Sequence, residues 1–254
     1  MEAAQVVAVL AAGLVAGVLT STVGVASLVS FPVLVAVGLP PVVANTSNTL
    51  GMAPAGVSGS FGYRRELREA PALTRVVLVT SALGAVGGAA LLLGLPGSVF
   101  EVVVPWLVLG TSLLVGVQPR LRAWVARRAG GPAADPSSVS RGTRVAAVLT
   151  GVYGGYFGAG SGVMLLAVLG LGTAVEFRIL NALKTFGVMV ANLVAAVVFV
   201  LVAPVDWSAV LLLAAGSVVG GYVGSHIGRA LPEAVLRALV VLAGTTAAVL
   251  LWLR

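Results

Sequence analysis

The chain has 254 residues, 59% of them hydrophobic and only 9% charged, and its mean hydropathy is +1.11; soluble domains are charged at roughly a quarter of their residues, so the composition excludes a soluble globular domain and indicates an integral membrane protein. The net charge of +7 comes from arginines placed between apolar runs, where they orient spans rather than bind nucleic acid. Cysteine is absent, which excludes disulfides and thiolate metal sites, and nothing else in the sequence calls for a metal or a cofactor.

Apolar runs this continuous predict helices rather than a barrel, because lipid offers no partners to an open backbone. The fold class expected is therefore an all-α polytopic membrane protein. Glu2 stands where a signal peptide carries positive charge, so the opening segment is expected to stay in the membrane. The first run, residues 6–38, would measure about 50 Å as one straight helix against a hydrocarbon core of about 30 Å. It must tilt or break, and "TSTVGVAS" marks the place. The second run, "PPVVANTSNTLGMAPAGVSGSF", enters the bilayer with five consecutive polar residues, Asn45 to Thr49. Spans at Val76–Leu95 and Val99–Val117 follow, then an Arg-, Gly- and Pro-rich stretch, 118–144, that reads as a cytoplasmic linker. Beyond it come a second long run, 145–172, interrupted by "GGYFGAGSG", and spans at Ile179–Val202, Ala209–Ile227 and Ala234–Leu253.

The two halves repeat one another. "VANTSNTLG" matches "ILNALKTFG" at an offset of 136 residues, pairing Asn45 with Asn181, Thr49 with Thr185 and Gly51 with Gly187. The same offset pairs Gly84 with Gly220 and Gly88 with Gly224, and an offset of 134 upstream pairs Gly17 with Gly151, Gly24 with Gly158 and Ser27 with Ser161. The predicted organisation is a first transmembrane repeat over 1–117, the linker, and a second repeat over 145–254, each with about four hydrophobic segments. If each opening run folds back as a re-entrant hairpin, the chain crosses six times, the repeats are inverted, and every arginine except Arg254 falls on one side. If each run crosses once, there are eight parallel-repeat spans and Arg178, Arg229 and Arg237 are misplaced. The positive-inside rule favours the hairpins.

Polar residues within spans face a cavity or a neighbouring helix. Asn45, Asn48 and Thr49 share one helical face, as do Asn181, Lys184 and Thr185, and Lys184 is the sole lysine of the chain. A lysine among neutral amides and hydroxyls suits an anion, and these six residues are the candidate substrate site. Its competing roles are snorkelling to the interface for the lysine and interhelical hydrogen bonding for the others. Gly24, Ser27, Gly158, Gly160, Ser161 and Gly162 are the candidate backbone of the helix breaks, whose free N–H groups would add anion affinity; the alternative for the glycines, including Gly154 and Gly155, is close helix packing. "GAGSG" together with His226 resembles a Ser-His dyad, but Ala159 replaces the first glycine of the usual G-x-S-G motif and the mate Ser27 has no histidine beside it, so the chain is read as a non-enzyme. No G-K-[ST] follows the glycines, which leaves phosphate cradling without support.

The two-repeat layout, "GGYFGAGSGVMLL", "NALKT" and Pro32 in "FPVL" resemble the sulfite exporter TauE/SafE family of membrane transporters over nearly the whole chain. The resemblance implies a secondary transporter in the bacterial inner membrane for a small anion, such as sulfite or sulfoacetate. Thr22, Val23, Val25 and Ala26 depart from the family's glycine-rich pattern in the first repeat. The mechanism expected is alternating access by rocking of one repeat against the other, with a passive anion channel and an intramembrane Ser-His hydrolase as the alternatives. The sequence leaves open a coupling ion and any association with further copies of the chain.

Overall fold

The computed structural model describes residues 2–22, 25–128, 139–227 and 233–252. Among these residues the chain forms eleven helices: α1 (Ala3–Thr22), α2 (Ser27–Ala36), α3 (Pro41–Gly62), α4 (Arg64–Glu69), α5 (Pro71–Gly94), α6 (Gly97–Arg128), α7 (Arg141–Tyr156), α8 (Ser161–Gly172), α9 (Phe177–Val202), α10 (Trp207–Ile227) and α11 (Glu233–Trp252). Of these, α1, α5, α6 and α9 are long and apolar enough to cross a bilayer. Many large apolar side chains point outward, Leu201 and Leu211 among them, as lipid requires and water would penalise. The protein is a polytopic membrane protein.

Both long opening runs are broken. The first is the pair α1 and α2, and the Gln5 side-chain amide donates to the Val37 carbonyl at 3.0 Å, so the start of α1 and the end of α2 lie together. The second is the pair α7 and α8, whose outer ends meet where Thr143 abuts Gly172. Each run is thus a helical hairpin with its tip in the interior. Ser140 caps α7 by accepting from the Thr143 N–H at 3.1 Å.

Helical structure continues past residue 118, the expected start of the linker. Helix α6 carries Pro119 within it and runs to Arg128, because Leu121, Trp124 and Val125 give the extension an apolar face that packs with Leu73 of α5 and Leu169 of α8. Tertiary burial there outweighs the local cost of an interior proline.

Packing follows the repeat offset. Helix α1 packs along α10 and α7 along α5; α3 packs on α10 and α9 on α5; α2 meets α11 and α8 meets α6; α3 meets α9 and α6 meets α11. Exchanging the mates of the sequence repeat turns each pairing into its counterpart in the same set, with α3–α9 and α6–α11 mapping onto themselves. The tightest crossings are made by glycine. A Cβ on Gly220 would collide with the Leu14 carbonyl, and one on its mate Gly84 would collide with the Val148 carbonyl, Val148 itself being the mate of Leu14. With no hydrophobic drive between helices inside lipid, such backbone approach supplies the van der Waals contact that holds them. At the polar rim Arg178 of α9 bridges α4, its Nη1 2.9 Å from Glu69 Oε1, and the guanidinium holds the exposed Glu69 carboxyl below its usual range.

Candidate functional site

The α7–α8 tip is built by two glycines. The Gly158 N–H still reaches back to the Tyr153 carbonyl at 3.0 Å, after which Gly158 (φ 82°) and Gly160 (φ 74°) take the left-handed backbone that reverses the chain. The Tyr153 hydroxyl donates to the Ala159 carbonyl at 2.7 Å and lies 2.7 Å from Thr111 Oγ1, which ties the tip to α6. At the start of α8 the Ser161 and Val163 N–H groups bond to Gly158 and Gly160 carbonyls. Those of Ala159, Gly160 and Gly162 have no acceptor among the described residues.

A cavity of about 790 Å³ lies between the two hairpin tips. Ser27 and its neighbours Val25 and Ala26 border it from one tip, and Gly158, Ala159, Gly160 and Gly162 from the other. Between them α9 contributes Asn181, Lys184, Thr185 and Asn192, α10 contributes Ser217 and Tyr222, and α3 contributes Met52 and Pro54. The cavity extends to Tyr63, Phe177 and Arg122, at the end of the molecule that leads into residues 129–138. Its charged lining residues are Lys184 and Arg122, with no carboxylate among the described residues around it. At the opposite end the space is filled: Phe31 stacks edge-on against Phe157 with centroids 5.3 Å apart, and Phe100 against Tyr156 at 5.5 Å.

The six candidate substrate residues divide by repeat. Asn181, Lys184 and Thr185 line the cavity together. Asn181 donates to the Tyr63 hydroxyl at 3.0 Å, Thr185 bonds back to the Asn181 carbonyl at 2.9 Å, and the Lys184 stem lies against Gly162. The other three are absent from the lining. Asn48 is buried, donating to Ser27 Oγ at 3.1 Å and accepting from Ser30 Oγ at 2.5 Å. Asn45 donates to the Tyr156 carbonyl at 2.9 Å, its oxygen lacking a partner, and Thr49 bonds to the Asn45 carbonyl. In the first half Asn45 and Asn48 tie α3 to both hairpins.

The break residues divide as well. Gly158, Gly160, Gly162 and Ser27 border the cavity, whereas Ser161 is buried with an unpartnered hydroxyl, beside a much smaller void with Ser81 and Thr150. Gly24 lies outside the described residues, as does the His226 side chain. Gly155 packs, since a Cβ there would strike the Ala85 carbonyl. Tyr63, Asn192, Tyr222 and Arg122 were not picked out by sequence reasoning. Asn192 was within reach of it, two helical turns after Lys184 on one face, whereas Arg122 was masked by its place among arginines that read as orientation charges.

A family model described as "Sulfite exporter TauE/SafE" matches residues 9–251. The chain is 28% identical to "Probable membrane transporter protein ORF9" of Sinorhizobium sp, over 94% of this chain and 88% of that one. It is 26% identical to a "Probable membrane transporter protein" of Haemophilus influenzae, over 91% of this chain and 88% of the relative. No solved structure matches.

Proposed function

This chain belongs to the sulfite exporter TauE/SafE family and is a multi-pass membrane transporter, not an enzyme, and we propose that it carries a small sulfur-containing or organic anion, such as sulfite or sulfoacetate, across the cytoplasmic membrane by alternating access. The observation that carries this reading is the cavity between the hairpin tips, cationic through Lys184 and bordered by no described carboxylate. Lys184 is the central contact, with Asn181, Thr185 and the N–H groups of Ala159, Gly160 and Gly162, which have no acceptor among the described residues, as further donors. Asn45, Asn48 and Thr49 hold the frame around it rather than touch the anion.

The topology proposed is two inverted repeats, each a re-entrant hairpin followed by three crossings, with 118–144 on the cytoplasmic side. Supporting it are the contacts between hairpin ends, the exchange of helix pairings under the repeat offset, and the arginine distribution. The cavity then opens to the cytoplasm and the Phe31, Phe100, Phe157 and Tyr156 rings seal the far side. The moving bodies differ from the sequence halves, since glycine contacts join α1 to α10 and α5 to α7. Rocking therefore sets α1, α2, α3 and α10 against α5, α7, α8 and α9, across the α3–α9 contact.

Protein reconstituted in liposomes tests the function: saturable sulfite flux or exchange is expected, and a non-saturating conductance would replace the carrier with a channel. Single cysteines at positions 40 and 174 test the topology, because the native chain has none. Hairpins require the two sites to label from opposite faces, and labelling from one face would sink them.

A further inference from the structure

Gln118 is 1% exposed, and a buried amide is costly unless its groups are hydrogen-bonded. The amide is assigned the orientation that satisfies it, with its oxygen towards Arg122, one turn further along α6; in that orientation the oxygen accepts from Nη2 at 2.9 Å and from Nε at 3.3 Å. The turn that carries both is anchored by Leu121, Trp124 and Val125 in the apolar cluster shared with α5, α8 and α9. The guanidinium therefore sits on a fixed helix, oriented by a fixed amide, and lines the cavity where Tyr63 and Phe177 form its outer end. Lys184 follows Phe177 by seven residues on α9, about 10 Å further in at the rise of a helix. Asn181, held to the Tyr63 hydroxyl at 3.0 Å, stands between them.

We propose that Arg122 is the capture station for the transported anion at the mouth of the cavity, and that Gln118 is its positioning residue. A guanidinium presents five donors in one plane and grips an oxyanion by a fork; an ammonium acts as a point charge. The chain places the fork at the mouth, where orientation selects the anion, and its sole lysine deeper, where charge retains it. Gln118 takes the Nε and Nη2 side of the fork and so fixes the direction of the rest, sparing the rotamer entropy that a free arginine would lose at each capture. This inference rests on the anion-carrier reading above.

The test uses full-length protein in oriented proteoliposomes, with sulfite as the probe and initial rates measured from the linker face across a range of ionic strength. Arg122→Gln is expected to raise KM about tenfold, the scale of one charge-assisted contact, and to flatten the salt dependence of kcat/KM. Arg122→Lys keeps the salt dependence while KM stays raised. Gln118→Leu raises KM about threefold with the salt dependence intact, the guanidinium charge being retained but no longer aimed. Wild-type KM and salt dependence in Arg122→Gln overturn the proposal, as do variants that lower the maximal rate alone at constant KM, which assigns both residues to structure. Calorimetric sulfite binding to solubilised wild type and Arg122→Gln separates the two readings. Binding without transport overturns the carrier and leaves the affinity loss in Arg122→Gln to decide the capture station; a wild type that neither binds nor moves sulfite overturns both.

Discussion

Asn48 on α3 and Lys184 on α9 are mates under the repeat offset, and they do opposite things. Asn48 closes a network with Ser27 and Ser30 that fastens the first hairpin to α3. Lys184 leaves the mate of Ser27, Ser161, without a partner and borders the cavity instead. One position thus separates a half whose polar face is closed by hydrogen bonds from a half whose polar face borders the cavity. The amide satisfies a buried hydroxyl, and the ammonium gives up that bond, leaving a hydroxyl that costs about 1–3 kcal/mol when buried unsatisfied. The difference teaches that a duplicated frame can be kept while a single side chain turns the polar face of one copy towards a cavity.

The largest effect is expected where the halves should still behave alike. Gly84→Val and Gly220→Val each drive side-chain atoms into a facing carbonyl, and each is expected to destabilise by about 3 kcal/mol or more, read as lost monodisperse protein and a lower Tm in detergent. A large gap between these mates would break the symmetry of the frame. Next comes Lys184→Gln, expected to reduce anion flux about 100-fold, a loss near 3 kcal/mol for one charged hydrogen-bonding group, while the protein still inserts. Lys184→Asn rebuilds the first half's arrangement and is expected to abolish flux but raise Tm as Ser161 gains a partner; unchanged flux would remove the lysine from the site. The smallest effects fall on the hydroxyl networks. Asn48→Ala is expected to cost about 1–3 kcal/mol by removing the partner of Ser27 and Ser30, whereas Ser161→Ala deletes an unsatisfied buried hydroxyl and is expected to stabilise by about 1–3 kcal/mol. Equal losses for these two would contradict the distinction between the hydrogen-bonded half and the cavity-facing half.

Much of the frame was legible because it obeys local rules. The length of each opening run forced a break or a tilt, and Gly158 and Gly160 break the second where the sequence marked it. Apolar runs located α5, α9, α10 and α11 to within a few residues, apart from the very end of the last, where Leu253 lies outside the described residues. Asn45, Asn48 and Thr49 could not be placed from the sequence, because spacing shows which residues share a face and not what that face meets. Repeat symmetry even pointed the wrong way for them, towards equal exposure of both polar faces. Arg122 was hidden by a proline and a run of arginines that resemble a loop; only the packing of Leu121, Trp124 and Val125 reveals that the helix continues.

The glycine crossings also constrain how the protein is made. Gly13 and Gly17 of α1 meet backbone of Leu213 to Gly221 in α10, so α1 finds this partner only after about 200 more residues have left the ribosome, roughly 10–40 s later at ordinary elongation rates. Until then α1 exposes a notched, side-chain-free face to lipid, where any other small-residue helix could dock. Biogenesis of this chain is therefore a waiting problem, and slowing translation between α1 and α10 should raise the yield of degraded or cross-associated protein without altering a single contact of the finished molecule.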